Sequence, residues 1–189
     1  MKSADLTPNH RILIVDDNES IHGDFQGILR RDITTNSAVN KMEEILFEEV
    51  KPAGEQSAFE LDSAFQGQEA LEMVKASVEQ NRPYALAFVD VRMPPGWDGI
   101  ETIARIWQVD PEIQVVVCTA YADYSWEEMR AKVGQPDSLL VLKKPFDNIE
   151  VQQLAHALTK KWFLNRQARL QLAELAEANS SLALSEERF

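Results

Sequence analysis

Cysteine and positive charge are scarce in this sequence. Cys118 is the one cysteine among 189 residues, which excludes an internal disulfide framework and a cysteine-rich zinc site. Lysine and arginine together number 19 against 31 aspartate and glutamate residues, so the formal net charge is −12. An acidic chain is a poor non-specific ligand for nucleic acid or for an anionic membrane. We therefore expect neither nucleic acid nor a membrane among its partners.

Long hydrophobic runs are missing as well. The N-terminal stretch MKSADLTPNH lacks the apolar core of a signal peptide, and no apolar run approaches the roughly 20 residues of a membrane-spanning helix. Hydrophobic residues make up 44% of the chain and charged residues 26%, which is an ordinary composition for a soluble globular domain. These features predict a cytoplasmic protein whose length suffices for one domain with a substantial hydrophobic core and leaves additional residues outside that domain.

The chain does contain short apolar segments that alternate with helical patterns. Each predicted helix carries apolar residues at the spacing of an amphipathic helix. Strands that alternate with helices are typical of an α/β fold, in which a parallel sheet has helices on both faces. We therefore predict a five-stranded parallel sheet of this kind, followed by a long C-terminal helix that starts near Asn148. The predicted strands are Ile12–Val15, Phe59–Phe65, Leu86–Val89, Gln114–Cys118 and Leu139–Leu142.

Charged and polar residues stand where four of these strands end. Asp16 and Asp17 follow the first strand, Asp90 the third, Thr119 the fourth and Lys144 the fifth. Because the carboxyl ends of parallel strands meet at one edge of such a sheet, we expect these side chains to converge. Three crowded carboxylates raise one another's pKa unless a cation lies among them, and carboxylate oxygens suit Mg²⁺. With a lysine and a hydroxyl opposite, the pattern predicts phosphoryl transfer to a carboxylate.

Four motifs occur in order between residues 11 and 160: ILIVDDN, FVDVRMPPGWDG, VVVCTAY and LKKPF. Together they resemble the receiver domain of two-component response regulators, which has a flavodoxin-like fold. The resemblance implies that Asp90 is the phosphoacceptor, that Thr119 is a switch hydroxyl and that Lys144 pairs with the phosphoryl group. It also implies a cis peptide bond before Pro145.

The same resemblance implies how Mg²⁺ would be held and where the phosphoryl group comes from. Asp17 would be a direct ligand, Asp16 would contact the metal mainly through water, and Asp90 would bind it as well. Arg92 would contribute its backbone carbonyl. The implied donor is a phosphohistidine on a histidine kinase or on a histidine phosphotransfer protein.

Two features depart from the family pattern. The position three residues before Lys144, where the family usually has tyrosine or phenylalanine, is Val141. We expect Tyr121 or Trp126 to act with Thr119 instead. The chain is also longer than the compact family version at about residues 31–58, where apolar residues are spaced as in an amphipathic helix. An insertion of this length favours a docking role, although a tolerated decoration stays open.

The C-terminal pattern predicts a coiled coil. We expect the last helix to pack on its own domain to about Phe163. Beyond it, apolar residues recur at alternating three- and four-residue steps, which is typical of a parallel two-stranded coil and predicts a homodimer. The chain then divides into a tail (1–10), a receiver domain with the insertion (11–160) and a coiled-coil linker (161–189). The first seam position contains Asn165, Leu172, Asn179 and Glu186, and the second contains Ala168, Leu175, Leu182 and Phe189.

The final segment, AELAEANSSLALSEERF, resembles the connector that leads into sensory PAS domains. We therefore expect the receiver and linker of a longer protein whose effector is a PAS domain, a histidine kinase or a diguanylate cyclase. Whether the protein is an enzyme beyond its own phosphorylation and dephosphorylation is left open. One alternative is a degenerate receiver that serves as a phosphorylation-independent interaction or dimerisation module. A haloacid-dehalogenase-like phosphatase is disfavoured, because Arg92 stands where that class has its second carboxylate.

Overall fold

The computed structural model describes residues 7–30, 59–120, 126–134 and 136–186. Within them five strands form one parallel sheet. The predicted five-stranded parallel sheet is thereby confirmed, while the insertion predicted at 31–58 lies outside the described residues. The strands are β1 (Arg11–Val15), β2 (Glu60–Ala64), β3 (Leu86–Asp90), β4 (Gln114–Thr119) and β5 (Leu139–Lys143). Their order across the sheet is β2-β1-β3-β4-β5.

Helices connect the strands and extend the chain beyond the last of them. The helix that follows β3 begins near Asp98, as predicted. The Asp98 carboxylate accepts a hydrogen bond from the Glu101 N–H at 2.7 Å and so caps the first turn. None of the described helices combines the length and the apolar character that crossing a bilayer requires. The helices are α1 (residues 19–30 of the described part), α2 (Gly67–Glu79), α3 (Gly99–Val109), α4 (Trp126–Val133) and α5 (Asn148–Glu186), and a short 3₁₀ turn spans Pro136–Ser138.

Two apolar layers cover the sheet, because successive side chains of a strand point to opposite faces. Burial on both faces explains why the inner strands consist of continuous apolar runs and not of alternating ones. Helices on both faces and a long C-terminal helix were predicted, and both are confirmed. One layer joins Leu13, Val15, Ala87, Val89, Val115 and Val117 to α2, α3 and α4, and the other joins Ile12, Ile14, Leu86, Phe88, Val116 and Cys118 to α1 and α5.

Helix α5 remains attached to the sheet domain as far as Arg169. Glu112, in the loop between α3 and β4, binds two arginines of this helix. Arg166 Nη1 lies 3.1 Å from Glu112 Oε2, and Arg169 Nη1 lies 2.6 Å from Glu112 Oε1. Residues 170–180 are all exposed. The helix therefore contacts the domain as far as Arg169 and not only, as predicted, to about Phe163, because the long arginine side chains reach back to the loop.

Candidate functional site

The polar strand ends that the sequence analysis selected lie together at the carboxyl edge of the sheet. Asp90 is the last residue of β3, and Thr119, the last residue of β4, pairs in register with Lys143 of β5. The Lys144 N–H then donates to the Thr119 carbonyl at 2.8 Å, which extends the pairing by one residue beyond β5. The peptide bond between Lys144 and Pro145 is cis, as expected. Strand register therefore places these side chains in one crevice.

Lys144 joins two carboxylates across this crevice. Its Nζ lies 2.7 Å from Asp16 Oδ2 and 2.7 Å from Asp90 Oδ1. The second oxygen of each carboxylate accepts a backbone hydrogen bond, from Asn18 N at 2.9 Å to Asp16 Oδ1 and from Arg92 N at 3.0 Å to Asp90 Oδ2. Both carboxylates are thus oriented by the turn that follows their own strand, and they share one ammonium group.

The charges in the crevice perturb each other's titration. Burial raises the pKa of the Asp90 carboxyl above its ordinary value, and the nearby Asp16 adds to this rise, while Lys144 opposes it. Burial alone would lower the pKa of Lys144, but its hydrogen bonds to Asp16 and Asp90 outweigh burial, so the pKa of Lys144 is raised. The lysine has two anionic partners, whereas Asp90 has one cationic partner and one anionic neighbour. A further cation would relieve the crowding of the carboxylates.

Three carboxylates are close enough to hold such a cation. Oxygen atoms of Asp16, Asp17 and Asp90 all lie within 4.8 Å of one another. Asp16 is buried and Asp90 is only 9% exposed, whereas Asp17 is exposed to solvent. A set of oxygen donors that is open to water on one side fits Mg²⁺, which keeps several of its water ligands in proteins. Arg92, which the sequence analysis assigned to the metal through its carbonyl, directly follows this edge and has an exposed side chain.

Thr119 lies at the same edge of the sheet. It is 7% exposed, and its hydroxyl donates a hydrogen bond to the Ala120 carbonyl at 2.9 Å. Val141 of β5 is half-buried and packs against the apolar layer formed with α2, α3 and α4. Tyr121 and the side chain of Trp126 lie outside the described residues. That one of them acts with Thr119 stays a prediction.

Helix α3 approaches the crevice so closely that its first residue has no room for a side chain. A Cβ atom on Gly99 would lie 2.1 Å from the Asp90 carbonyl oxygen. The Gly99 N–H donates to the Val91 carbonyl at 2.8 Å, which holds the start of the helix against the end of β3. Gly99 therefore determines how near the helix comes to the backbone of Asp90.

One buried histidine at the site was missed by the sequence analysis. His22 of α1 is 3% exposed, and its Nε2 lies 2.7 Å from the Asp16 carbonyl oxygen. A histidine on the inner side of an amphipathic helix has the pattern of an ordinary core residue. Its contact with Asp16 depends on how the turn after β1 folds back, which no local sequence pattern indicates.

Comparison with known families gives a direct match. A family model described as "Response regulator receiver domain" matches residues 42–156. The matched segment contains Asp90, Thr119 and Lys144. It begins after Asp16 and Asp17, which the parallel pairing of β1 with β3 nevertheless brings to the same edge of the sheet.

Individual proteins show the same similarity. Sporulation initiation phosphotransferase F of Bacillus subtilis (strain 168) is 28% identical over 144 residues, which cover 76% of this chain and 89% of that protein. The solved structure of an adenylate cyclase from Rhodopirellula baltica matches with a TM-score of 0.63 at 23% identity, over 87% of this chain and 98% of the other. The signal receiver domain of an HD domain-containing protein from Pseudomonas fluorescens Pf-5 matches with a TM-score of 0.60 at 20% identity, over 88% of this chain and 98% of the other. At these identities the two structures show the fold.

Proposed function

This chain belongs to the response regulator receiver domain family, and we propose that it accepts a phosphoryl group on Asp90 from a phosphohistidine. The proposal rests above all on Lys144, whose ammonium group lies 2.7 Å from both Asp16 and Asp90 in an acidic crevice. The donor would be a histidine kinase or a histidine phosphotransfer protein. We also propose that the protein works in the cytoplasm.

The arrangement of the residues suits an in-line transfer. A carboxylate oxygen of Asp90 would form the new bond to phosphorus while the bond between phosphorus and the donor histidine nitrogen breaks. The Arg92 N–H, which is 3.0 Å from Asp90 Oδ2, fixes the plane of the attacking carboxylate. Lys144 can exchange its contact with Asp90 for a phosphoryl oxygen and so neutralise the charge that the transfer brings into the crevice.

A magnesium ion would be held by Asp16, Asp17, Asp90 and the carbonyl of Arg92. When bound, it supplies positive charge to the phosphoryl oxygens. The protein's own contribution is the placement of the carboxylates: the turns after β1 and β3 orient Asp16 and Asp90 through the N–H groups of Asn18 and Arg92. The Thr119 hydroxyl would then donate a hydrogen bond to the phosphoryl group on Asp90 in place of the one that it donates here to the Ala120 carbonyl at 2.9 Å.

Incubation with acetyl phosphate and Mg²⁺ tests this function. We expect the wild-type chain to gain one phosphoryl group by intact mass measurement, and the Asp90→Asn variant or a sample with excess chelator to gain none. Asp110→Asn is a matched control, because Asp110 is also buried, at 6% exposure, but follows α3 at the opposite edge of the sheet. Asp110→Asn should be modified like the wild type. A wild-type chain that folds, binds Mg²⁺ and stays unmodified would favour the phosphorylation-independent interaction module.

We further propose that α5 carries the response to an effector domain as a parallel dimer. The ion pairs of Arg166 and Arg169 with Glu112 fix the helix to the sheet domain, so that movement of the domain is transmitted along the helix. Beyond Arg169 the helix exposes large apolar side chains: Leu172 is 67% exposed and Leu175 is 60% exposed. These two leucines occupy the two seam positions of the predicted coiled coil, so a second copy of the chain is the natural partner.

Leucine substitutions distinguish a seam from a merely exposed helix. We expect the chain of residues 1–189 to dimerise at high micromolar concentration, and Leu172→Glu or Leu175→Glu to make it monomeric, because each places a charge in the seam. Leu170→Glu is the matched control, since Leu170 is also exposed, at 45%, but lies outside the seam. Sedimentation velocity measures the difference. If all three variants sediment as the wild type does, the helix does not pair in this register.

A further inference from the structure

His22 holds the backbone of the acidic turn that follows β1. The histidine is the fourth residue of α1, and it is 3% exposed. Its Nε2 lies 2.7 Å from the carbonyl oxygen of Asp16. A carbonyl oxygen can only accept, so Nε2 is the donor and carries the proton.

The residue that His22 contacts is fixed on its other sides as well. The Asp16 N–H donates to the Ala64 carbonyl of β2 at 3.2 Å, and the Asp16 carboxylate accepts from Asn18 N at 2.9 Å. The bond from His22 therefore completes a set that includes the N–H, the side chain and the carbonyl of Asp16. This carbonyl belongs to the peptide unit between Asp16 and Asp17. The orientation of that peptide therefore determines the direction in which the exposed Asp17 side chain leaves the backbone.

The packing around the ring keeps it in this position. The Phe65 ring lies against His22 with 4.5 Å between the ring centroids. Phe65 is in turn fixed by its N–H, which donates to Glu69 Oε2 at 2.7 Å. His22 Nδ1 is buried and has no hydrogen-bond partner among the described residues. Within the part of the chain that the structure describes, the imidazole is thus held by a single polar contact, the one to Asp16.

We propose that His22 is a positioning residue for the metal site, which acts by orienting the peptide between Asp16 and Asp17. This inference rests on the proposed function of the crevice and names a residue through which that crevice is organised. Partners of this kind around a metal site typically change metal affinity tenfold to a hundredfold when they are removed. His22 is not itself a ligand or a phosphoacceptor, because its Nε2 is engaged and its ring is buried.

Two substitutions separate the hydrogen bond from the packing. His22→Leu fills much of the ring volume without a donor, whereas His22→Gln offers an amide N–H₂ group that can reach the same carbonyl. We expect His22→Leu to raise the dissociation constant of Mg²⁺ about tenfold, and His22→Gln to stay within about threefold of the wild type. Isothermal titration with Mg²⁺ alone measures both. The rate of phosphorylation by acetyl phosphate at subsaturating Mg²⁺ should follow the same order.

A loss of stability alone has to be distinguished from a loss of positioning. Phe25→Leu is the control, because Phe25 lies on the same helix, is 1% exposed and packs on the rings of Phe88 and Phe146. It should lower the unfolding midpoint in chelator and leave the Mg²⁺ affinity unchanged. If the wild type binds Mg²⁺ and is phosphorylated but His22→Leu binds as tightly, or if the leucine and glutamine variants are equally weakened, the role of His22 is refuted. A wild type that neither binds Mg²⁺ nor is phosphorylated refutes the proposed function itself.

Discussion

Replacement of Lys144 by alanine is expected to slow phosphorylation of Asp90 about a hundredfold or more, while Mg²⁺ binds at least as tightly as in the wild type. The lysine supplies positive charge where negative charge accumulates during transfer, and removal of such a group typically has an effect of this size. Metal binding should not suffer, because Lys144 is not a ligand. Its loss leaves Asp16 and Asp90 without their shared ammonium group, so the repulsion between the two carboxylates increases and a bound metal ion relieves more of it.

The neighbouring lysine provides the control for this experiment. Lys143 has the same charge but is the last residue of β5 and is exposed to solvent. Lys143→Ala should therefore be phosphorylated at nearly the wild-type rate. Initial rates with acetyl phosphate, measured at saturating Mg²⁺, give the comparison. Equal rates for Lys144→Ala and the wild type would show that the ion pairs of Lys144 serve only the resting structure.

The largest effect on stability is expected from Gly99→Ala. The new Cβ atom would lie 2.1 Å from the Asp90 carbonyl oxygen and 2.9 Å from its carbonyl carbon, both of which are backbone atoms. Helix α3 or the end of β3 must move, at a cost of about 3 kcal/mol in the free energy of unfolding, which is the upper range for overpacking. Because the atom that moves belongs to Asp90, phosphorylation should slow as well. Urea unfolding measures the loss of stability.

Two other glycines show what the same change does without a steric conflict. A Cβ atom on Gly23 or on Gly27, both in α1, would meet no atom of the described residues within 4 Å. Alanine at either position should stabilise the protein by about 0.5–1 kcal/mol, because glycine is a poor helix former. If the Gly99→Ala variant proves as stable as the Gly23→Ala variant, α3 does not approach the backbone of Asp90 as closely as described here.

Much of the fold and of the site could be predicted because the signals are local. Buried parallel strands are continuous apolar runs, and the residue at which each run stops can be taken directly from the sequence, as for Asp90 and Thr119. Parallel pairing then brings the residues at the strand ends to one edge of the sheet, whatever the details of helix packing. The convergence of Asp16, Asp90 and Lys144 needed no knowledge of the helices.

The parts that could not be predicted depend on contacts between distant segments. His22 approaches Asp16 because α1 folds back over the turn, and Gly99 is required because α3 starts against β3. Helix α5 contacts the sheet domain beyond Phe163, because Arg166 and Arg169 bind Glu112 in a loop more than fifty residues away in sequence, which nothing in the helix itself indicates. Such contacts set the precision of the site, and they leave no periodic pattern in the sequence.

We expect Asp90 to receive the phosphoryl group, and locating the modified residue tests this expectation most directly. An aspartyl phosphate is reduced by borohydride to homoserine with release of phosphate, which marks the position permanently. After treatment with acetyl phosphate and Mg²⁺ followed by borohydride, peptide sequencing by mass spectrometry should find homoserine at position 90, with Asp16 and Asp17 unchanged. Homoserine at another acidic residue, with Asp90 intact, would contradict the account.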